Sequence, residues 1–419
     1  MFCEFRFGEA KLKSDKISVF VIFFACLLVV LGDVRFVIGP AGYWVAWCAV
    51  IFAGLFCSLR QFGRMISVEL FVYMAGFFLI IVSFLLSGII NQDGQTIYQG
   101  VKVFFIALAF YCIYINARDL AGADIYKISL ICIAIGLFVF LISKFYLREL
   151  YVELGDGRQG SQFAYPGVLW KTPVFFVGFV VAGMIFGAGN KVLSLLAMLG
   201  GLFLLKSDSS RTGFLILAVI ALLFIVLSAY LKPKAAVLCS LVLGVCGIGL
   251  LILYSGGFVF FSNAEEPLVL NRLAAGDPIR TKMLSDGILH VQDCFPFGCG
   301  FGTATTLVDG ENMVVHNAYL SSLGDIGVLG FIGMAILMFS PVFFFLGKLI
   351  TYRLQGVTSV ANLAYSIAAF GGVLGYAFLM MLHPFSTELS EWGIWALMVS
   401  LLSTFSGRML ATDDTQVEA

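Results

Sequence analysis

Long apolar segments recur along the chain and are separated by short polar connections. A transmembrane helix needs about 20 mainly apolar residues, and twelve segments of roughly that length can be marked. They lie at about 17–38, 42–59, 66–90, 97–115, 125–147, 166–188, 191–205, 211–231, 235–255, 317–347, 358–382 and 392–407. We therefore predict an all-α integral membrane protein with about twelve transmembrane helices, in which residues 1–419 form a single polytopic domain.

The longest polar stretch runs from about 256 to 316, just before the tenth predicted span. Asp277-Pro278 within it is typical of a helix start, with Asp as the N-cap and Pro at the first helical position. Apolar residues then recur at helical spacing from Ile279 to Ile288, so this helix has an apolar face suited to a membrane surface. We predict that residues 256–316 form a long extracytoplasmic loop that carries part of a functional site.

A glycine-rich turn follows the loop helix at residues 295–302, with the sequence Phe-Pro-Phe-Gly-Cys-Gly-Phe-Gly. Non-helical backbone at membrane depth is tolerated only against protein or a water-filled cavity. The glycines either bring main-chain N–H groups close to a phosphate or serve packing alone, and we favour packing. Cys294 and Cys299 either form a disulfide or stay reduced in the turn.

Composition supports the membrane assignment. The 419 residues are 61% hydrophobic and 12% charged, with a mean hydropathy of +1.02, whereas soluble domains carry about 25% charged residues. The formal net charge is zero, and we expect no nucleic-acid partner. The charged N-terminus, from Arg6 to Lys16, lacks a clear cleavage site of small residues, so the first apolar segment is predicted to be a retained span.

Lys and Arg in the connections predict the orientation. With both termini in the cytoplasm, every predicted inside connection holds at least one cation. These 14 of the 25 cations are Arg6, Lys11, Lys13, Lys16, Arg60, Arg64, Arg118, Lys127, Lys191, Lys232, Lys234, Lys348, Arg353 and Arg408.

The other 11 cations lie outside or near the outer ends of the predicted helices. They are Arg35, Lys102, Lys144, Arg148, Arg158, Lys171, Lys206, Arg211, Arg272, Arg280 and Lys282. Several fall at the edge of the apolar zone; a charge at a helix centre costs about 2.5–3.5 kcal/mol on insertion scales and marks a functional candidate. Snorkelling at the interface explains any single Lys equally well. For the set, an anionic ligand on the outer face is the better explanation.

Two arginines are candidates for binding such an anion. Arg211 opens a span within Ser-Ser-Arg-Thr-Gly at 209–213, where it either pairs with Asp208 or binds a diphosphate through its guanidinium fork. Arg280 lies in the loop helix, on either a solvated side or a side that faces the site.

His316 is the candidate for proton transfer among the three histidines. It stands at the mouth of a helix, beside Asn317 and after the polar loop, and histidine has the near-neutral pKa that a general base needs. His290 and His383 also fall on the predicted outer side, and His383 could still line the site. Glu311 and Asp309 could join a His around a divalent cation, but a solvated acidic loop is the better interpretation, and we predict no metal and no cofactor.

The stretch from His316 to Gly330 has the pattern His-Asn-x-Tyr-Leu-x-x-Leu-Gly-Asp-x-Gly-x-x-Gly. This pattern resembles the signature of the O-antigen ligase and polymerase superfamily of bacterial membrane glycosyltransferases. Three parts occur in the order expected for that superfamily and cover about a third of the chain. They are Arg211 in Ser-Arg-Thr-Gly, Arg280 followed by Pro-Phe-Gly at 296–298, and His316-Asn317.

The resemblance implies an active site on the periplasmic side of the bacterial inner membrane and a donor glycan linked to undecaprenyl diphosphate. In the implied reaction His316 takes or orients the proton of an acceptor hydroxyl, while Arg211 and Arg280 bind the diphosphate. Further substrate contacts are expected from Asn317, Tyr319, Lys102, Arg158 and Lys171. The implied partners are membrane lipid, the lipid-linked donor, a glycan or lipid A core acceptor, and a chain-length regulator protein.

Several activities remain open. A polymerase of O-antigen or exopolysaccharide repeat units is favoured by the glycine turn and the His-Asn-Ala-Tyr-Leu spelling. An O-antigen ligase, which moves the polymer onto the lipid A core, and a protein-glycosylating enzyme are alternatives. A transporter of lipid-linked sugars is the alternative from another class, although such proteins often show internal repeats and none is evident in the sequence.

Overall fold

The computed structural model describes residues 16–59, 67–154, 157–186, 189–231, 278–308, 310–355 and 359–409. The helices before residue 232 are α1 (Lys16–Val30), α2 (Arg35–Leu59), α3 (Val68–Ile90), α4 (Gly94–Ala117), α5 (Gly122–Phe145), α6 (Lys171–Phe186), α7 (Lys191–Asp208) and α8 (Arg211–Leu231). The later helices are α9 (Pro278–Cys294), α10 (Ala318–Ile326), α11 (Val328–Gln355), α12 (Val360–Leu379) and α13 (Leu389–Met409). Two short antiparallel hairpins lie in the connections, β1 (Tyr151–Glu153) with β2 (Gln159–Ser161) and β3 (Thr305–Val308) with β4 (Glu311–Val314).

The helices make this a multi-pass membrane protein. Within the described ranges, six helices are long and apolar enough to cross a membrane, namely α2, α3, α4, α5, α11 and α12. Helices α1, α6 and α8 are apolar but shorter. The predicted span at 235–255 and the first part of the predicted loop, 256–277, lie outside the described residues.

The predicted single span at 317–347 is wrong. The backbone breaks at Gly327, which has φ +85°, and divides the segment into α10 and α11. The backbone of the glycine-rich turn crosses at this point, and the Val328 N–H donates to the Pro296 carbonyl (2.9 Å). Apolar composition alone gave no sign of this break because both pieces are apolar. With nine residues, α10 is too short to span a bilayer.

Other boundaries agree with the sequence more closely. The structure describes the loop helix from Pro278 on, and its predicted N-cap Asp277 lies outside the described residues. Met283 on this helix is buried, while Ile279 and Ile288 are exposed. Helix α1 ends at Val30 and not near 38, because the chain turns at 31–34 and starts α2 at Arg35.

Helix α13 lies at the centre of the bundle, between α4 and α12. Trp395 on α13 is fully buried, and its ring centroid lies 5.0 Å from that of Phe110 on α4 and 5.7 Å from that of Phe77 on α3. Small residues allow the closest helix contact: a Cβ on Gly333 of α11 would lie 2.6 Å from the Gly76 carbonyl oxygen on α3. Such small-residue contacts are typical of packing between membrane helices.

Candidate functional site

Six connections gather at one end of the bundle, which we call the loop face. They are residues 31–34, 91–93, 146–154, 157–170, 209–210, 278–308, 310–317 and 380–388, where 146–170 and 278–317 each count as one connection of which only the described parts are given. Hydrogen bonds join them across long distances in sequence. The Tyr165 N–H donates to the Asp33 carboxylate (2.8 Å), and the Asn91 side chain donates to the Gly298 carbonyl (2.9 Å). The connections that carry the predicted site residues therefore share one end of the molecule.

Asp325, from the Leu-Gly-Asp part of the motif, is buried and organises the glycine-rich turn. Its carboxylate accepts hydrogen bonds from the N–H groups of Gly302 (2.9 Å) and Ala304 (2.8 Å) and from the Thr303 hydroxyl (3.3 Å). Burial raises the pKa of Asp325 to about 6, while these donors act in the opposite direction. The conformation of the turn thus depends on a residue of α10.

The N–H groups of the turn are used inside the protein. Gly300 donates to the Asp325 carbonyl (2.9 Å) and Phe301 donates to the Thr96 hydroxyl (2.6 Å). The N–H groups at 298, 299 and 303 donate to other main-chain carbonyls. Residues 298, 300 and 302 have φ between +77° and +109°, which explains the need for glycine. The turn therefore packs on α10 and α4, and its N–H groups from Gly298 to Gly302 all donate within the protein.

A disulfide joins Cys294, the last residue of α9, to Cys299 in the turn, with their Cα atoms 5.2 Å apart. Of the two predicted alternatives, the bridged form is the one present. Disulfides persist in oxidising compartments such as the periplasm.

His316 lies just before α10, with its Nδ1 atom 3.2 Å from the Met283 sulfur on α9. Asn317 caps α10, because its side-chain oxygen accepts from the N–H groups of Tyr319 and Leu320, both at 3.1 Å. The Tyr319 hydroxyl donates to the Ala377 carbonyl on α12 (3.0 Å). Asn317 and Tyr319 thus hold the start of α10 in place, and their predicted substrate contacts stay predictions.

The 380–388 connection runs beside the first turn of α10. The Ala318 N–H donates to the Met380 carbonyl (2.8 Å), and the Ser321 hydroxyl accepts from the Phe385 N–H (3.1 Å). This arrangement brings the segment that carries His383 next to the segment that carries His316.

A group of ionisable residues surrounds His383. Lys171, the first residue of α6, is 4% exposed and forms an ion pair of 3.1 Å with Glu391 in the first turn of α13. Burial lowers the pKa of His383 to about 3; Lys171, His316 and Arg280 act in the same direction, while Glu391 opposes them. His383 is therefore uncharged at neutral pH. We call these five residues the central cluster.

A second ionic group lies between α2, α4 and the 380–388 connection. The Glu388 carboxylate accepts from Lys102 Nζ at 2.8 Å with one oxygen and lies 3.0 Å from Arg35 Nη1 with the other. We call these three residues the bridged group. Lys102 was a predicted substrate contact, and the structure gives it an acidic partner in the protein.

Arg158 and Arg211 lie near the α7–α8 connection. The buried Asp208 carboxylate pairs with Arg158 Nη2 at 2.6 Å and also accepts from the N–H groups of Gly167 and Trp170. Asp208 had been considered as a partner for Arg211, but Arg158 is an ion-pair partner that the sequence did not suggest. Half-buried Arg211 begins α8 three residues further on.

Sequence reasoning missed both acidic partners, Glu388 and Glu391. Their signal was present: two carboxylates three residues apart at the outer end of an apolar segment, opposite an excess of outer cations. It also undervalued His383, which the structure places among the predicted residues Lys171, Arg280 and His316. The ion pairs of Glu388 and Glu391 join residues more than 200 positions apart in the sequence, so only the fold shows them.

Asp309 lies outside the described residues, so the acidic pair with Glu311 has no structural outcome. In the part of the chain that the structure describes, no group of three or more His, Cys, Asp or Glu side chains is arranged to hold a metal ion. No protein-family model matches the sequence, and no curated protein matches it.

Proposed function

We propose that this protein is a membrane glycosyltransferase that uses a polyprenyl-diphosphate-linked glycan as donor. The observation that carries the proposal is the central cluster. It combines a histidine at a helix start with the predicted anion-binding residues Arg280 and Lys171 at one end of an apolar helical bundle. A charged side chain near membrane depth costs free energy of insertion, so such a residue is a candidate for a function.

The chemistry follows from the residues of this cluster. A hydroxyl of the acceptor sugar attacks the anomeric carbon of the donor, and the bond from that carbon to the diphosphate oxygen breaks. His316 takes the hydroxyl proton. Arg280, with Arg211, binds the departing diphosphate and offsets its negative charge.

The surroundings of His316 support the role of a base. Its Nδ1 atom faces the Met283 sulfur, a weak hydrogen-bond acceptor, at 3.2 Å. A proton on Nδ1 satisfies that contact, and Nε2 is then the ring nitrogen proposed to accept the hydroxyl proton. His383, held neutral, adds no third positive charge beside Lys171 and Arg280.

The site is proposed to face the periplasm across the bacterial inner membrane, with both termini in the cytoplasm. The disulfide on the loop face favours this orientation, because the cytosol keeps thiols reduced. The cytoplasmic end would then hold Lys348, which pairs with Glu69 at 2.5 Å.

The decisive test is His316→Ala in a transfer assay with purified protein and lipid-linked glycan. We expect a loss of about 100-fold or more in rate, the scale of general-base catalysis. His290→Gln serves as a control, since it removes another histidine of the loop face. Full transfer by a folded His316→Ala protein would contradict the proposed role.

A deletion strain separates the reactions that the same chemistry allows. If single repeat units reach the lipid A core but long chains disappear, the protein is the polymerase, which we favour. If long chains accumulate on undecaprenyl diphosphate while the core stays bare, it is the ligase. If neither glycan pool changes, either the enzyme uses another polysaccharide or a transporter of lipid-linked sugars is the better assignment.

A further inference from the structure

The bridged group has an unusual arrangement for a structural ion pair. One carboxylate holds two cations from different helices, Arg35 at the start of α2 and Lys102 within α4. The group carries a net charge of +1 by its formal charges. Partly exposed ion pairs contribute only about 1 kcal/mol or less to stability, so stability alone does not account for two cations here.

The backbone near Glu388 is anchored on both sides. The Thr387 hydroxyl bonds the Gln99 side chain on α4 (2.5 Å), and the Ser390 N–H donates to the Tyr43 hydroxyl on α2 (2.9 Å). The Glu388 side chain is 29% exposed and belongs to a connection, not to a helix. Its carboxylate can therefore leave the two cations by side-chain rotation alone, while the main chain keeps its position.

The group opens toward apolar surface. The Arg35 side chain is 36% exposed, and its guanidinium lies 5.2 Å from the centroid of the exposed Phe36 ring. On α4, the Lys102 side chain is 12% exposed and its neighbour Val101 is exposed, whereas the exposed Phe104 lies on the side of the helix away from Lys102. Lys102 comes eight residues after the start of α4, about 12 Å along the helix. Cations recessed among exposed apolar side chains match a lipid whose charged group lies at the membrane interface.

A phosphate group can take the place of the Glu388 carboxylate, because it also presents two oxygens, one to each cation. We propose that Arg35 and Lys102 form a binding site for the diphosphate of a prenyl lipid, and that Glu388 is the internal anion which this diphosphate displaces. The diphosphate carries more negative charge than one carboxylate, and Arg and Lys both bind phosphate oxygens well. The inference rests on the proposed function: Arg35 and Lys102 give the lipid donor a first docking position, whereas Arg280 and Arg211 bind the diphosphate as it departs in the reaction.

The experiment measures binding of undecaprenyl diphosphate, without glycan, to the full-length protein in nanodiscs of phosphatidylcholine by native mass spectrometry. We expect Arg35→Gln and Lys102→Gln each to weaken binding about tenfold, the worth of one charge-assisted hydrogen bond. Glu388→Gln removes the competing anion and should tighten binding by about threefold or more. Arg148→Gln, at an exposed cation elsewhere on the loop face, should leave affinity unchanged.

Two results would overturn the inference. If Glu388→Gln weakens binding or leaves it unchanged, Glu388 is a structural partner and not an exchangeable anion. If phosphatidylglycerol or inorganic pyrophosphate displaces the probe at equal concentration, the site does not select a prenyl diphosphate. Should Arg35→Gln fail to fold, Lys102→Gln still tests the site, and unchanged affinity in that variant would count against it.

The outcome is independent of the catalytic proposal. His316→Ala should bind undecaprenyl diphosphate as the wild type does. Normal lipid binding with full transfer by His316→Ala would remove the proposed catalytic role and leave this docking site standing. Loss of transfer in His316→Ala, with no effect of the bridged-group variants on binding, would support the catalytic role of His316 and remove the docking site.

Discussion

At the scale of single residues, Lys171 and Glu391 form a largely buried ion pair of the loop face. The Lys171 side chain is 5% exposed and that of Glu391 26% exposed. Removing one partner from such a pair leaves a charge without compensation, which costs far more than the intact pair contributes. A substitution of one partner should therefore destabilise the protein, and a substitution of both partners should destabilise it much less.

We expect Lys171→Met to lower the free energy of unfolding by about 3 kcal/mol, because Glu391 is left without its ion-pair partner. The double variant Lys171→Met/Glu391→Gln should recover most of that loss. Thermal unfolding of the purified proteins checks both. Equal melting temperatures for the single and double variants would show that the two side chains are not coupled.

His383 predicts a dependence of stability on pH. Its pKa is about 3 in the folded protein, against an ordinary value of 6.5. As pH falls below 6.5 the unfolded chain takes up a proton that the folded protein does not bind, so stability is lost between about pH 6.5 and 3. At pH 5 the change in the pKa of His383 alone lowers the free energy of unfolding by about 2 kcal/mol.

Thermal unfolding at pH 7.5 and pH 5 tests this. His383→Gln should lose less stability than the wild type between the two values, or gain stability, because the raised pKa of Asp325 favours the folded protein as pH falls. His290→Gln is the matched control, since Asp293 offsets part of the effect of burial on the pKa of His290. The same pH dependence in wild type and His383→Gln would assign the effect to other groups.

At the scale of elements, the crossing of the glycine-rich turn with the α10–α11 junction determines where the motif residues stand. A Cβ on Gly327 would lie 2.3 Å from the Pro296 carbonyl oxygen, and a Cβ on Gly298 would lie 2.4 Å from the Asp325 carbonyl oxygen. Both glycines also have positive φ. The two backbones therefore touch directly, and no side chain fits between them.

Gly327→Ala should destabilise the protein by more than about 3 kcal/mol, because it adds a backbone clash to a disfavoured φ. Gly347→Ala is the matched control: it lies in α11, where an added Cβ meets nothing within 4 Å, and helix propensity favours Ala by about 1 kcal/mol. Expression level and melting temperature distinguish the two. A stable Gly327→Ala protein would show that the junction can open.

The elements show what sequence could and could not predict. Apolar runs located most helices because length and hydropathy are local properties, and the apolar spacing after Pro278 indicated a helix in the loop for the same reason. The break at Gly327 and the partners of Lys102, Arg158 and Lys171 depend on segments that pack together only in the fold. The candidate histidine and arginines could be named from a motif, but the carboxylates beside them could not.

At the scale of the whole molecule, the alternation of connections gives two ends with different contents. One is the loop face, with its disulfide and both ionic groups. The other end holds the 118–121 connection, where Arg408 bonds the carbonyls of Arg118 and Leu120. The distribution of cations predicted which end faces the cytoplasm, and that orientation stays a prediction.

Cysteine labelling in intact cells tests the orientation. Arg148→Cys, on the loop face, should react with a membrane-impermeant maleimide from outside the inner membrane. Lys191→Cys, at the opposite end and equally exposed, should react only after the cells are lysed. The reverse pattern would place the loop face in the cytoplasm and exclude a periplasmic reaction.

The bridged group also has a consequence for biogenesis. Glu388 lies 286 residues after Lys102, and Glu391 lies 220 residues after Lys171. At a synthesis rate of about 5–20 residues per second, Lys102 waits roughly 15–60 s for its partner. During that interval the nascent protein carries Lys102 and Lys171 near the bilayer before their carboxylate partners have been made. The segment of Glu388 and α13 therefore completes these ion pairs. A chain released before α13 is made would bear a charge imbalance by which quality-control proteases can tell it from the finished protein.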